Sequence, residues 1–470
     1  MGIDGELGSV LEELRAAGER ARAEKMSGEF QNTDLGNSRR LAAAHGEDLR
    51  YAPELGRWFA WDGRRWAEDV TGEVVRRMKQ IADTMLDQAR ISNDERLFRW
   101  GLRSQSAASI SNATSLAASE PGMYVLVNEL DADAYAFNVL NGTVDLRSGE
   151  LRPHDRRQLI TKLAPVNYDP EATCPVWERT LREVFAADEG VIELVRRFAG
   201  YSLSGRVSEQ KLVFAHGGGA NGKTTILNAL RQTWGEYGIA LDPGVLVASD
   251  HEQHPTGLTD LRGARLVTTV ETERGRRLNE PLVKLLTGGD PIRARRMRQD
   301  YFEFLPTHKL WFAGNHLPRI NGTDQGIWRR LLLVPFEVEF GPERADKELP
   351  DRLAAEASGI LAWAVRGCLA WQADGLAVPE RVTAATAAYR ASQDHVGRFL
   401  ADCCVVGETF YVRAGDLRVA YEAWCAEQGE RPWTATAMGR ELSSRGFDQT
   451  RERGARTWLG FGLAAKGETP

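Results

Sequence analysis

Lys211-Leu212-Val213-Phe214-Ala215-His216 leads without a break into Gly217-Gly218-Gly219-Ala220-Asn221-Gly222-Lys223-Thr224, and Thr225 then opens a helical stretch reaching about Trp234. The first six residues are a short apolar run suited to a buried strand. The next eight are a complete G-x-x-x-x-G-K-[ST] match, and strand, loop and helix stand in the order a phosphate requires. Glycines let the backbone curl until successive N–H groups face phosphate oxygens, and the following helix adds the positive end of its dipole. Gly217, Gly218, Gly219, Ala220, Asn221, Gly222, Lys223, Thr224 and Thr225 are therefore the nucleotide-binding candidates. Lys223 is suited to neutralise the β- and γ-phosphates and the Thr224 hydroxyl to help hold Mg²⁺, so ATP and Mg²⁺ are the expected cofactors.

Downstream, Arg265-Leu266-Val267-Thr268-Thr269-Val270 is β-branched and ends in Glu271-Thr272-Glu273. A nucleotide-cleaving site needs a carboxylate at a strand tip beside the phosphate loop, to steer Mg²⁺ and take a proton from the attacking water. Glu271 and Glu273, two apart, share one side of an extended strand, and Glu271 is the metal candidate beside Thr224. Leu310-Trp311-Phe312-Ala313-Gly314-Asn315 is a third such strand. Its terminal amide suits a γ-phosphate contact without added charge, although Asn is also a common turn residue. Gly326-Ile327-Trp328-Arg329-Arg330 then precedes the apolar run Leu331–Phe336, and the paired arginines have the character of a transition-state clamp offered to a neighbour's phosphate.

Ile292-Arg293-Ala294-Arg295-Arg296-Met297-Arg298-Gln299 holds four arginines and no acid, and Tyr301–Leu305 returns as a strand. This predicts a hairpin with a basic tip, whose Arg293, Arg295, Arg296 and Arg298 would meet a nucleic-acid backbone in a sequence-blind, salt-sensitive way. The overall net charge is −6, so any DNA contact has to be concentrated in such places.

The 470 residues suggest roughly three folded units. Residues 1–30 read as a charged helical leader and 31–160 as an α+β region. Within that region Asp62-Gly63 turns a hairpin, 72–90 is helical, and 139–146 and 150–152 form a strand patch turned at Ser148-Gly149. Residues 161–205 read as a helical collar containing one helix from Trp177 to about Leu203. The ATPase unit spans 206–345. Residues 346–392 read as Ala-rich helix and 393–470 as three helices and a hairpin, the pattern of a winged helix, open to DNA binding or to protein docking. Five cysteines show no Cys-x-x-Cys pair, which speaks for idle reduced thiols over zinc. No apolar run reaches the ~20 residues of a membrane span, and the start lacks a secretory leader, so a soluble intracellular protein is expected.

Phosphate loop, acidic strand, Thr287-Gly288-Gly289-Asp290-Pro291-Ile292, Asn315 and Arg329-Arg330 follow one another in fixed order. In this the chain resembles a superfamily 3 helicase. It is most similar to the helicase half of the phage and plasmid primase-helicase family, to which the poxvirus primase-helicase also belongs. Leu140–Leu151, His254-Pro255-Thr256-Gly257-Leu258 and Leu261–Leu266 extend the resemblance over about 35–340. It implies an α/β P-loop NTPase with an AAA+-like core, an α+β N-terminal region and a C-terminal winged-helix domain, assembled as a homo-oligomeric, hexameric ring around single-stranded or forked DNA. Lys223, Thr224, Glu271, Glu273 and Asn315 would come from one subunit, and Arg330, or Arg329, from the next. Lys284 matches a second basic sensor. Thr272, between the two glutamates where many members carry adjacent acids, leaves the base unassigned.

The family's primase polymerase domain precedes its helicase and carries paired acids, whereas only Asp131-Ala132-Asp133 offers a pair here, so a separate primase is the expected partner. The resemblance implies an ATP-dependent helicase of phage- or plasmid-type replication in a bacterial cytoplasm. The alternative is an ATP-controlled origin-binding or helicase-loading protein without unwinding activity.

Overall fold

The computed structural model describes residues 30–248, 255–271, 276–295, 301–320, 325–344, 346–452 and 455–464. The charged leader lies outside them. Helix α1 (Asp34–His45) starts at Thr33, whose hydroxyl accepts the Gly36 N–H. Strands β1 (Leu49–Ala52), β2 (Arg57–Trp61) and β3 (Trp66–Glu68) form an antiparallel sheet, and the β2–β3 turn falls on Asp62-Gly63 as expected. Helices α2 (Glu73–Ser92), α3 (Glu95–Ser104) and α4 (Ala107–Ala117) complete this module around Leu41, Met78, Ile81 and Met85.

A second sheet holds β4 (Ala136–Val139), β5 (Gly142–Asp145) and β6 (Glu150–Arg152). The strand-rich patch expected over 139–146 and 150–152 turns at Ser148-Gly149, and also turns back earlier, at Leu140-Asn141. Val139 pairs with Gly142, and the Asn141 side chain exchanges hydrogen bonds with the Tyr168 backbone, both at 2.9 Å. The single helix expected from Trp177 is two, α5 (Pro175–Val184) and α6 (Glu189–Tyr201). Asp188 caps the second by accepting the Val191 N–H, and this cap dictates the break.

The central sheet contains β7 (Leu212–His216), followed by α7 (Lys223–Trp234), β8 (Gly238–Ala240), α8 (Pro243–Leu246) and β9 (Leu266–Glu271). After α9 (Glu280–Thr287) the chain forms the hairpin β10 (Ile292–Ala294) and β11 (Phe302–Phe304), then β12 (Lys309–Gly314), α10 (Gln325–Trp328) and β13 (Leu331–Pro335). The five strands lie in the order β13-β7-β12-β9-β8, all parallel. Buried on both faces, they read as nearly continuous apolar runs. Val213, Ala215, Trp311, Ala313, Leu332 and Val334 face one core; Leu212, Phe214, Leu310, Phe312, Leu331 and Leu333 face the other.

The Ala-rich stretch after the sheet is three helices, α11 (Leu349–Ala355), α12 (Ala357–Asp374) and α13 (Glu380–Gln393), parted at Glu356 and Gly375. Helix α12 packs on α6 so closely that a Cβ at Gly200 would lie 2.0 Å from the Cys368 nitrogen. The expected collar (161–205) and the expected Ala-rich segment (346–392) thus share one core against the sheet. At the amino ends of β9 and β12 the buried Arg265 and Lys309 donate only to carbonyls. Arg265 reaches Ala134 (2.7 Å) and Leu203 (3.0 Å); Lys309 reaches Ser204, Arg206 (3.2 Å) and Thr307 (3.0 Å). Arg265 thereby ties Ala134 of the N-terminal region to the sheet, and Lys309 ties the 204–206 turn to it.

The last segment runs α14 (His395–Cys403), β14 (Cys404–Arg413), α15 (Ala414–Glu427), α16 (Ala435–Ser444), β15 (Gln449–Glu452) and β16 (Ala455–Leu463), with sheet order β14-β16-β15. Its first strand replaces part of what the sequence reading took as helix, because Val405-Val406 and Thr409-Phe410-Tyr411-Val412 favour extended backbone. All five cysteines are unpaired. Among the described residues no single helix is long and apolar enough to cross a membrane.

Candidate active site

Parallel pairing sets His216, Gly314, Glu271 and Pro335 in one row at the carboxyl ends of β7, β12, β9 and β13. The phosphate loop leaves from His216 at the centre of that row. Gly222 has φ of +83°, a conformation that suits glycine, and hands over to α7 at Lys223. Gly217 must be glycine for a different reason: a Cβ there would stand 2.0 Å from the Phe336 carbonyl oxygen. Asn221 straps the loop by donating to Gly218 O (2.7 Å) and Phe336 O (3.1 Å). Lys223, only 6% exposed, donates to Gly217 O, Gly218 O and Asn221 Oδ1, each at 2.8 Å. Burial lowers its pKa from the ordinary lysine value.

Thr224 is exposed on the first turn of α7 and Thr225 is half-buried. Asn315 is exposed directly after β12, one strand from the loop. Its backbone hydrogen-bonds the His216 ring, whose pKa is lowered mainly by burial and then by Lys223 and His316. Glu271 ends β9 on the far side of β12. Glu273 lies outside the described residues.

The arginine pair stands at the opposite ends of the same strands. Arg330 O accepts the Leu212 N–H (2.8 Å), at the start of β7. Arg330 is 8% exposed and donates to Thr287 Oγ1 (3.1 Å), Gly326 O (2.6 Å) and Gln210 Oε1 (3.4 Å). Arg329 is exposed and reaches Gln210 Oε1 at 3.2 Å. Lys284 sits one turn ahead of Thr287 on α9, and so belongs with the arginines and not with Lys223. A five-residue strand rises roughly 16 Å at about 3.3 Å per residue. The structure therefore brings together two groups, phosphate loop with Asn315 and the end of β9, and arginines with Lys284, and separates them by the length of the sheet.

The hairpin β10–β11 feeds the amino end of β12. Arg293 and Arg295 both lie over the Tyr301 ring, 4.3 and 4.7 Å from its centre, and Arg293 faces Glu303 across the strands. Arg296 and Arg298, at the expected tip, lie outside the described residues. Asp131 and Asp133 are engaged structurally: Asp131 accepts from Thr161 N–H and hydroxyl (2.7 and 2.5 Å), and Asp133 pairs with Arg147 (2.8 Å). Sequence reading missed Gln210, the shared acceptor of both arginines, and the strap 336–340, because each acts through partners more than a hundred residues away.

Residues 38–186 match the D5 N-terminal-like family and residues 215–330 match a family of unknown function, DUF5906. "Putative helicase L207/L206" of Acanthamoeba polyphaga mimivirus is 25% identical over 335 residues, which are 65% of this chain and 34% of that one. "Putative helicase 022R" of Frog virus 3 is 25% identical over 304 residues, covering 60% and 30% of the two chains. "Putative primase C962R" of African swine fever virus is 24% identical over 224 residues, covering 46% and 23%. The match thus spans about a third or less of these relatives' length. Among solved structures, the A form apo structure of the NrS-1 C-terminal region covers 88% of this chain and 96% of that one, at 11% identity and a TM-score of 0.49. With the two family matches in tandem and viral relatives across the same region, the chain belongs to the D5-like primase-helicase family.

Proposed function

We propose that this chain is an ATP-driven DNA helicase of a replication system, carried by a virus, phage or plasmid and working as a hexameric ring on single-stranded or forked DNA. The observation that carries this reading is the division of the site between the two ends of one sheet. Lys223 and Arg330 stand too far apart to meet on one phosphate within a subunit, so a neighbour's arginine has to complete the site. Strand order supports an AAA+-like core, because β12 with its terminal Asn315 separates the phosphate-loop strand from the acidic strand.

The residues fit ATP with Mg²⁺. The loop carbonyls already hold an ammonium, the Thr224 hydroxyl is exposed beside it, and the end of β9 brings the backbone of Glu271 into the same row. Thr224 and Glu271 would hold the ion, which supplies charge neutralisation at the phosphates. Lys223 would bind the β- and γ-phosphates, Asn315 would orient the γ-phosphate or the attacking water, and Glu271 or Glu273 would accept that water's proton. Of the two arginines, the buried Arg330 anchors the turn to α9, and the exposed Arg329 is the freer to reach across a boundary. Tyr301 with Arg293 and Arg295 offers a stacking face and two phosphate ligands at the root of the hairpin. The arrangement of α15, α16 and the β15–β16 hairpin supports a winged helix.

The test is strand separation on a forked duplex with ATP, run beside a mass measurement of the assembled particle. Wild type should unwind and Lys223→Ala should not, while still binding DNA; unwinding by that variant refutes the phosphate-loop assignment. A second reading, an ATP-controlled loader or origin-binding protein, is favoured by exposed apolar side chains on β14, notably Val406 and Tyr411 at 62% and 65% exposure, which suit a protein dock. Ring formation with ATP but no strand separation would select it.

A further inference from the structure

A cavity of about 680 Å³ opens at the foot of the β10–β11 hairpin, at the end of the sheet opposite the phosphate loop. Its walls come from 127–134 of the N-terminal region, from 205–210 ahead of β7, and from 303–307 between β11 and β12; Gly289 and Pro291 also line it. The lining is mainly apolar, and Val127, Leu130, Val207, Pro291 and Leu305 contribute to it. The walls are fixed to one another. Gly205 N–H donates to Ala134 O (2.6 Å), the Thr307 hydroxyl to Ala264 O (2.7 Å), and Lys309 to Arg206 O (3.2 Å) and Thr307 O (3.0 Å). A preformed apolar space of this size, with a few polar groups in its lining, suits a ligand as large as a nucleoside.

Strand register decides what stands beside the mouth. Arg293 pairs with Glu303 and Ala294 with Phe302, so Arg293, Arg295, Tyr301, Glu303 and Leu305 share one face of the hairpin. Both guanidiniums lying over the Tyr301 ring agree with this. The other face, with Ile292, Ala294 and Phe304, is buried in the core. Tyr301 is 44% exposed and Leu305 65%. Because Glu303 and Leu305 line the cavity, the face that carries two cations and a ring runs into its mouth. Tyr301 and Leu305 are separated by roughly 13 Å at about 3.3 Å per residue. Charge around the mouth favours an anion. Arg206 and Arg262 line the cavity with Asp131 and Glu303; Asp131 already accepts from Thr161, and Glu303 stands opposite Arg293 with Arg295 close by.

We infer that this cavity receives one unstacked base of the single-stranded DNA whose phosphates meet Arg293 and Arg295. Leu305 forms its rim, and the Ser208 hydroxyl and Gln210 amide stand in its lining to meet the base's edge. This rests on the DNA reading above and adds to it a base-holding site that the N-terminal region and the ATPase sheet build together. Single strands are held by cations that track the backbone and by apolar surface that takes the bases, and the hairpin face and the cavity supply one each. An apolar side chain of a protein partner would use the cavity and leave the arginines and Tyr301 without a role. A strand uses both.

The experiment measures binding of the full-length chain to a single-stranded DNA oligonucleotide and to an abasic oligonucleotide of the same length, over a range of salt. Ala132 is exposed at the cavity wall, and Ala132→Trp fills the space without touching the hairpin. It should weaken binding of the intact strand about tenfold, the worth of one base, and change abasic binding less than about twofold. Its salt dependence should match wild type. Leu305→Ala, at an exposed position, should act in the same direction. Arg293→Ala should instead weaken both oligonucleotides and lower the slope of log affinity against log salt by about 0.7, the loss of one phosphate contact. Equal weakening of intact and abasic strands by Ala132→Trp, or unchanged binding of both, would overturn the base site. If Arg293→Ala still weakens both in that case, the DNA reading stands and the cavity alone is refuted. If wild type binds neither oligonucleotide, the DNA reading fails first and the base site with it.

Discussion

Lys223 gives all three ammonium protons to its own loop, to two carbonyls and one side-chain amide. On the proposed function, a phosphate oxygen, which carries full charge and makes the stronger, charge-assisted bond, would draw the ammonium away from these carbonyls. The loop itself was legible in the sequence, because Gly217, Gly218, Asn221 and Lys223 lie in one contiguous stretch and bond chiefly to one another. The buried histidine of the N-terminal module was not legible, since nothing around His45 in the sequence announces burial. The structure holds its ring 4% exposed, with Nδ1 3.3 Å from an Arg77 guanidinium nitrogen. Burial first, and the Arg77 charge second, lower its pKa to about 4 from 6.5. The folded state keeps the ring neutral while the unfolded chain takes up a proton below 6.5. The stability of keeping it neutral is thus complete above that pH and is lost as pH falls toward about 4. Relative to His45→Gln, wild type should lose on the order of 2–3 kcal/mol between neutral pH and pH 4, read from urea midpoints. Parallel loss in both proteins would show that other groups govern the acid limb.

Where one element meets another, the sequence is a poorer guide. The parallel sheet could be anticipated from apolar runs of strand length, but the order β13-β7-β12-β9-β8 is set by pairings up to 119 residues apart, such as Leu331 with Leu212. The break between α5 and α6 carried a signal, Asp188 before Glu189, that a continuous apolar periodicity concealed. Strand β14 was hidden behind its helical neighbours. Least visible of all is the crossing of α6 with α12, where small residues let two backbones touch. A methyl at Gly200 would lie 2.0 Å from Cys368 N and 2.5 Å from Ala364 O, and one at Gly367 would lie 2.2 Å from Arg196 O. Backbone atoms cannot step aside as a flexible side chain does. Gly200→Ala should therefore destabilise by about 1–3 kcal/mol or more, outweighing a helix-propensity gain of about 1 kcal/mol. Gly415→Ala, on α15 with nothing within 4 Å of its new methyl, is the control and should leave the midpoint unchanged or raised. Equal thermal midpoints for Gly200→Ala and wild type would contradict the close crossing.

The separation of Lys223 from the arginine pair gives the proposed ring a test at the scale of the assembly. If each cleavage site takes its loop from one copy and its arginine from the next, two inactive variants can rescue each other. In rings formed from equal amounts of Lys223→Ala and Arg330→Ala, a site works when an Arg330→Ala subunit supplies the intact loop and its neighbour, a Lys223→Ala subunit, supplies the arginine. Random mixing produces that neighbour pair at about one site in four, so ATP hydrolysis should return to roughly a quarter of the wild-type rate. A site complete within one subunit gives no recovery at any ratio. Repeating the titration with Arg329→Ala assigns the finger. Arg330 is buried against Thr287, Gly326 and Gln210, so its loss should also lower the thermal midpoint, whereas Arg329 is exposed and its loss should not. Rescue by Arg329→Ala with an unchanged midpoint would identify it as the group that crosses the boundary and Arg330 as its support. Rescue only by Arg330→Ala would mean that the buried guanidinium leaves its three acceptors when a neighbour's nucleotide arrives. Recovery in neither mixture, with rings confirmed by mass, would refute a site shared between copies.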